Sequence, residues 1–200
     1  MTISLAIDTS TSRTSVAIVD AGALLWHGSR DGATAHGDAL PSLVQQALGV
    51  QNAIDQVVVG MGPGPYTGLR VGIAFARSFA LARTIGVIGI CSLDALAALV
   101  VEENDFIVAT DARRKEVYWA KYENGKRVGD PAVEFPLELS RSALPIFGEG
   151  AVKYGIGSNS DILFPDLVAM VRISESPHNW IDSPMYLRRP DAVPTNERVS

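Results

Sequence analysis

Short apolar runs, broken by glycine, proline and small polar residues, fill the first hundred positions. Ile3 to Ile7 reads as a strand, Asp8-Thr9-Ser10-Thr11-Ser12-Arg13 as a polar turn, and Ser15 to Val19 as a second strand. A third strand over Ala23 to His27 follows Gly22, and the short connections predict an antiparallel meander. From His36 the apolar spacing changes to three and four, with Leu40, Leu43, Val44, Ala47 and Leu48 forming one stripe of an amphipathic helix. Pro41 falls in the first turns of that helix, where a missing amide proton is tolerated. Gln56 to Gly60 and Gly86 to Cys91 read as buried strands, with a long helix from Thr67 to Arg83 between them. Ser92 is expected to cap a further helix through Val100. This alternation predicts parallel strands joined by right-handed crossovers.

A second unit is expected from Asp105, with strands over 106–110 and 116–122 and around 127–133. Asn124-Gly125 supplies its hairpin turn. Past Pro136 a strand over 145–148 and a short helix over 165–171 are expected, and the polar tail after Arg189 is expected to lack order.

Composition narrows the classes of function. The 200 residues are 47% hydrophobic and 20% charged, an ordinary globular balance with length enough for a buried core. A formal charge of −5 argues against a chain that grips nucleic acid by itself, because phosphate neutralisation needs concentrated Lys and Arg. Local basic clusters nevertheless occur at Arg113-Arg114-Lys115 and Arg188-Arg189. Cys91 is the sole cysteine, which excludes an internal disulfide; its apolar neighbours predict a buried, inert thiol. No apolar stretch reaches the roughly 18 residues of a membrane span, and Asp8 interrupts the first apolar run, so a cytoplasmic protein is expected.

Val57-Val58-Val59-Gly60 ends in Met61-Gly62-Pro63-Gly64-Pro65-Tyr66-Thr67-Gly68-Leu69-Arg70-Val71-Gly72, a rigid strand-to-helix turn with few side chains in the way. This motif occurs with Leu5-Ala6-Ile7-Asp8-Thr9-Ser10 and Asp111-Ala112-Arg113-Arg114-Lys115-Glu116-Val117-Tyr118. Together with His36…Leu40-Pro41 and Pro184-Met185-Tyr186-Leu187-Arg188, the set resembles the TsaB (YeaZ) family. The resemblance covers residues 1 to about 122 and resumes near 184; the segment between Gly125 and Pro184 departs by being short. It implies an actin/Hsp70/sugar-kinase-like α/β fold with lobes over 1–104 and, reduced, 105–189, followed by a flexible tail over 190–200. It also implies a degenerate relative of the TsaD transferase. Such a protein supports TsaD, alongside the TsaE ATPase, in moving threonylcarbamoyl onto the tRNA adenosine beside the anticodon.

Candidate chemistry is sparse. Asp8 and Thr9 stand where kinases of the implied fold bind phosphate and metal, yet no glycine lies between Ile7 and Asp20 to let amides close around an anion. A vestigial phosphate site at Asp8, Thr9, Gly62 and Gly64 and a merely stabilised turn are both open readings. No Gly-Lys-Ser/Thr follows the glycine turn, and no cofactor is expected. The resemblance implies that TsaD-type enzymes carry two histidines one helical turn apart just after the second parallel strand. Ser92 and Leu96 stand there, so no metal is expected. Neither a His-Glu-x-x-His pattern nor a Gly-x-Ser-x-Gly elbow supports a peptidase.

Within the long helix Gly68, Gly72, Ala76 and Ala80 form a bare ridge, and Val71, Phe75 and Phe79 a bulky one beside it. Glycine inside a helix costs roughly 1 kcal/mol relative to alanine, so a close approach should offset it, either by the protein's own sheet or by a partner. By the resemblance, His36, Leu40, Leu43, Ala47, Gly68, Gly72, Ala76 and Phe79 would meet TsaD, or a second copy in a homodimer. Arg113, Arg114 and Lys115 are either a charged hairpin tip or a tRNA contact made through the complex. The expected function is a non-catalytic subunit; the alternative is an independent ATP-binding enzyme of the sugar-kinase-like fold.

Overall fold

Leu5 and Ile7 join one hydrophobic cluster while Ala6 joins another, because successive strand residues point to opposite faces. The same split divides Val57 and Val59 from Val58. Both faces of the central strands of the first sheet are covered, which is why those strands read as nearly continuous apolar runs. In this computed structural model, residues 2–32, 34–158 and 161–188 are described. The first sheet contains β1 (Ile3–Asp8), β2 (Arg13–Asp20), β3 (Ala23–Asp31), β4 (Gln56–Gly60) and β5 (Gly86–Ile90), in the order β3-β2-β1-β4-β5. The first three strands form the expected antiparallel meander, and β4 and β5 add in parallel. One face packs on α1 (His36–Val50) and α2 (Tyr66–Arg83). The other packs on α3 (Ser92–Ala97) and α6 (Leu167–Ser174), through Leu167, Met170 and Val171.

The second sheet repeats the plan in smaller form. β6 (Asp105–Arg113), β7 (Glu116–Glu123) and β8 (Lys126–Glu134) make a second meander, and β9 (Ile146–Phe147) joins β6 in parallel. Where the first unit has the 15-residue α1 between its third and fourth strands, the second has α4 (Pro136–Leu139), of 4 residues. Where the first has the 18-residue α2, the second has α5 (Glu149–Lys153), of 5. This is the two-sheet organisation, with a reduced second half, that the resemblance implied. Phe106, Tyr122 and Phe147 pack with Cys91, Leu93 and Leu96 of the α3 region to fill the space between the sheets.

Several elements differ from expectation. α3 stops at Ala97, and Cys91 rather than Ser92 is its N-cap residue, because the Ser92 hydroxyl is committed to Asp8. α6 starts at Leu167, after the Asp166 side chain accepts the Ala169 amide at 2.6 Å. α4 and α5 were not expected; four or five residues are too few for a helical period to register. Arg189 and the expected tail over 190–200 lie outside the described residues.

Candidate functional site

The glycine turn after β4 is filled by the chain itself. An added Cβ at Gly64 would lie 2.5 Å from the Ser10 carbonyl oxygen, and one at Gly68 would lie 2.7 Å from that of Thr9. The Thr9 hydroxyl donates to the Gly68 carbonyl at 2.8 Å, and Gly72 also lies against Thr9. The glycines therefore admit the β1–β2 turn, rather than an outside ligand, to the backbone of α2. Thr14 Oγ1 and His36 Nδ1 share a buried 2.7 Å hydrogen bond beside this junction. Burial, and secondarily Arg113, holds the His36 imidazole below its ordinary pKa, and so neutral.

Asp8 is the centre of the junction. Its carboxylate accepts from Ser92 Oγ at 2.6 Å, Ser10 Oγ at 2.7 Å and the Ser10 amide at 2.9 Å, while Gly60 leaves room for it from β4. Burial pushes the Asp8 pKa up against the lowering effect of those bonds. Ser92, at the position where the resemblance implied a ligating histidine, is thus a hydrogen-bond donor, and Leu96 is fully buried in the core. Among the described residues no three His, Cys, Asp or Glu side chains come together as a metal site. The Cys91 thiol is buried and pushed up to about 12 by burial and by Asp94, as expected of an inert cysteine.

The expected partner set is mostly turned inward. Leu40, Leu43, Ala47 and Ala76 lie in the first core, and His36, Gly68 and Gly72 are buried with them. Along the bare ridge of α2, Gly68 and Gly72 lie against Thr9 of the protein's own β1–β2 turn and Ala76 and Ala80 lie in the first core, the closer of the two approaches the spacing allowed. Phe79 is the exception: it is half-buried, 6.2 Å from Phe75 in a stacked pair, with the Arg83 guanidinium over its ring. Val71, Phe75 and Phe79 form a half-buried ridge, flanked by exposed Ala74, Ser78 and Leu81; Leu81 is 83% exposed.

The second half contributes a charged turn. Arg113, Arg114 and Lys115 are exposed and have φ of 65°, 49° and 63°, a left-handed conformation costly for side chains of their size. Asp111 anchors this turn, accepting from the Arg113 amide at 3.1 Å, Lys153 Nζ at 2.6 Å and the Tyr154 hydroxyl at 2.9 Å. The expected Pro184 to Arg188 segment pins both turns: Met185 bonds the Met61 carbonyl, while Arg188 bonds the Ala112 carbonyl and pairs with Glu116.

Three contacts escaped the sequence. Glu149, at the start of α5, accepts from the Ser12 amide at 3.1 Å and from the Ser12 hydroxyl, tying the second half to the first; burial raises its pKa. Nearby, the Arg13 guanidinium lies 3.9 Å from the Phe164 ring centroid. Asp94, the acidic residue in the first turn of α3, also binds the Tyr122 hydroxyl and Arg127. None of these contacts has a local signal, because the partners lie tens of residues apart.

Comparison with known proteins complements this geometry. Residues 30–142 match the family model of TsaD, tRNA N6-adenosine threonylcarbamoyltransferase. Uncharacterised proteins of Mycobacterium leprae and Mycobacterium tuberculosis are 41% and 40% identical, over 97% and 95% of this chain and 57% and 93% of their own lengths. The tRNA threonylcarbamoyladenosine biosynthesis protein TsaB of Escherichia coli is 35% identical over 60% of this chain and 56% of its own length. The chain thus matches little more than half of the M. leprae and E. coli relatives. YeaZ from Pseudomonas aeruginosa superposes with a TM-score of 0.73 at 27% identity, covering 94% of this chain and 100% of that one. No helix among the described residues is long and apolar enough to cross a membrane.

Proposed function

The chain belongs to the TsaD-related family as a homologue of the TsaB (YeaZ) proteins, and from that premise we propose that it is a non-catalytic subunit in tRNA threonylcarbamoyladenosine biosynthesis. In this reading it binds and supports a TsaD-type transferase, within an assembly that includes the TsaE ATPase, while threonylcarbamoyl passes to the adenosine beside the anticodon. The observation that carries the reading is the self-occupied glycine turn: Asp8, Thr9 and Ser10 fill the approach to Gly60, Gly64 and Gly68. Gly62, also proposed from sequence as a vestigial phosphate contact, packs on Leu69. A turn filled in this way favours support over chemistry.

The docking surface in this reading is the Val71, Phe75 and Phe79 ridge of α2, with α1 beneath it lending Leu40, Leu43 and Ala47 as internal support. In the absence of the transferase the same ridge pairs two copies of the chain. The lobes divide as 1–104 and 105–189, with α6 reaching back across the first sheet. Arg113, Arg114 and Lys115 contact tRNA only within the complex, in the cytoplasm.

The test is reconstitution. The purified chain is mixed with the TsaD-type transferase of the same organism, passed over a sizing column and assayed for modified adenosine in tRNA. A stable complex is expected, with transfer that depends on both proteins and none from this chain alone. Activity of the isolated chain, or a transferase indifferent to its presence, overturns the proposal. Phe75→Asp should abolish complex formation without unfolding the chain, since Phe75 is only half-buried.

A further inference from the structure

A cleft of about 560 Å³ lies between the Asn124-Gly125 hairpin, α3 and the 3-10 turn at Pro177–Asn179. None of its wall comes from α1, α2 or the turns that join the two halves. Asp94, Tyr122, Lys126, Arg127, His178 and Asn179 carry its polar groups. Asp94 is the one carboxylate among them, and it is already engaged. The Tyr122 hydroxyl donates to its Oδ1 at 2.6 Å, and Arg127 Nη1 lies 3.2 Å from both oxygens.

The donors, by contrast, are in surplus. Among the described residues the side-chain hydrogen bonds of Arg127 all leave from Nη1, and the side chains of Lys126 and His178 make no hydrogen bond or ion pair. Two cations and an imidazole therefore line a cleft whose only carboxylate is spent, in a chain whose formal charge is −5. Asp130, further along β8, acts on Arg127 only at a distance. Gly125 and Gly129 have φ of 72° and 75°, with nothing within 4 Å of an added Cβ, so the hairpin leaves the mouth of the cleft bare.

We propose that this cleft binds a compact oxyanion, the phosphate of a phosphomonoester or one end of a dicarboxylate, through Lys126, Arg127 and His178. Asp94 and Tyr122 act as positioning residues, holding the guanidinium by one nitrogen so that its remaining donors stay available; a planar fork fits either oxyanion. The site stands apart from the proposed partner surface, and its fate is independent of that reading.

Amide NMR of the full chain, titrated with inorganic phosphate, malonate, and sodium chloride at matched ionic strength, tests this. Saturable shifts confined to residues around 125–129 and 178–179 are expected with phosphate or malonate, and the responding probe identifies the source of the oxyanion. The double variant Lys126→Ala/His178→Ala alters two exposed side chains and should fold as the parent does. It should bind the responding probe at least tenfold more weakly. Failure of both probes to saturate, equal shifts with chloride, or undiminished affinity in the double variant overturns the site.

Discussion

Asp8 and Asp111 occupy matching places in the two halves of the molecule, yet their surroundings are opposite. Each stands near the end of a strand that runs antiparallel to the next strand and parallel to a later one. In each, Oδ1 accepts the amide two residues on, from Ser10 at 2.9 Å and from Arg113 at 3.1 Å. Around Asp8 the other donors are the neutral hydroxyls of Ser10 and Ser92, and burial raises its pKa. Around Asp111 burial also opposes ionisation, but the bonds from Lys153 and Tyr154 prevail and hold its carboxyl below the usual range. One backbone device thus serves as a packing knot in the first half and as an ion-pair hub in the second. The lesson is that a carboxylate at this turn does not define a reactive site; its neighbours do.

The contrast can be tested at several strengths. The largest effect is expected from Gly64→Val, which forces side-chain atoms onto the Ser10 backbone and should cost about 3 kcal/mol or more in urea unfolding. A near-neutral result means that the turn is looser than the contacts indicate. Next, Asp8→Ala strands the buried Ser92 and Ser10 donors and should cost about 2–3 kcal/mol, with little salt dependence. Asp111→Ala loses half-exposed partners and should cost about 1 kcal/mol, shrinking at high salt. Equal losses would erase the distinction.

The pH dependence has opposite signs at the two residues. The folded pKa of Asp8 lies above its ordinary 3.8, so the folded state binds its proton more tightly, and Asp8's contribution to stability falls as pH rises from 3.8 through the folded value. The folded pKa of Asp111 lies below 3.8, so its contribution is present above 3.8 and is lost as pH falls through the folded value. Carboxyl NMR titration should place the two midpoints on opposite sides of 3.8; midpoints on one side would break the comparison. The smallest effect is expected at Lys115→Gly, which relieves a left-handed residue and should raise stability by about 0.5–1 kcal/mol in thermal melts. A loss would show that the lysine side chain stabilises the turn by more than its backbone strain costs.

Much of the frame was legible. β4 has the bounds expected from its valine run, and both meanders follow from short runs punctuated by turn residues. The direction in which α2 faces was not. Spacing reveals that Gly68 and Gly72 share a ridge, but whether that ridge meets Thr9 or a partner depends on where β1 and β2 carry their turn. Ser92 was misread for a related reason: a serine before a helix satisfies the local rule for a cap, while its actual acceptor lies 84 residues earlier. Arg127, Tyr154 and Glu149 drew no attention because their polar groups find partners only through tertiary folding.

The Ser12–Glu149 contact has a mechanical consequence. Proteins with two such halves often work as clamshells, closing a hinge over their cargo. Here a carboxylate from one shell grips the amide and hydroxyl of the other, with the Arg13–Phe164 stack fastened alongside. Any such closure would first have to break this seam.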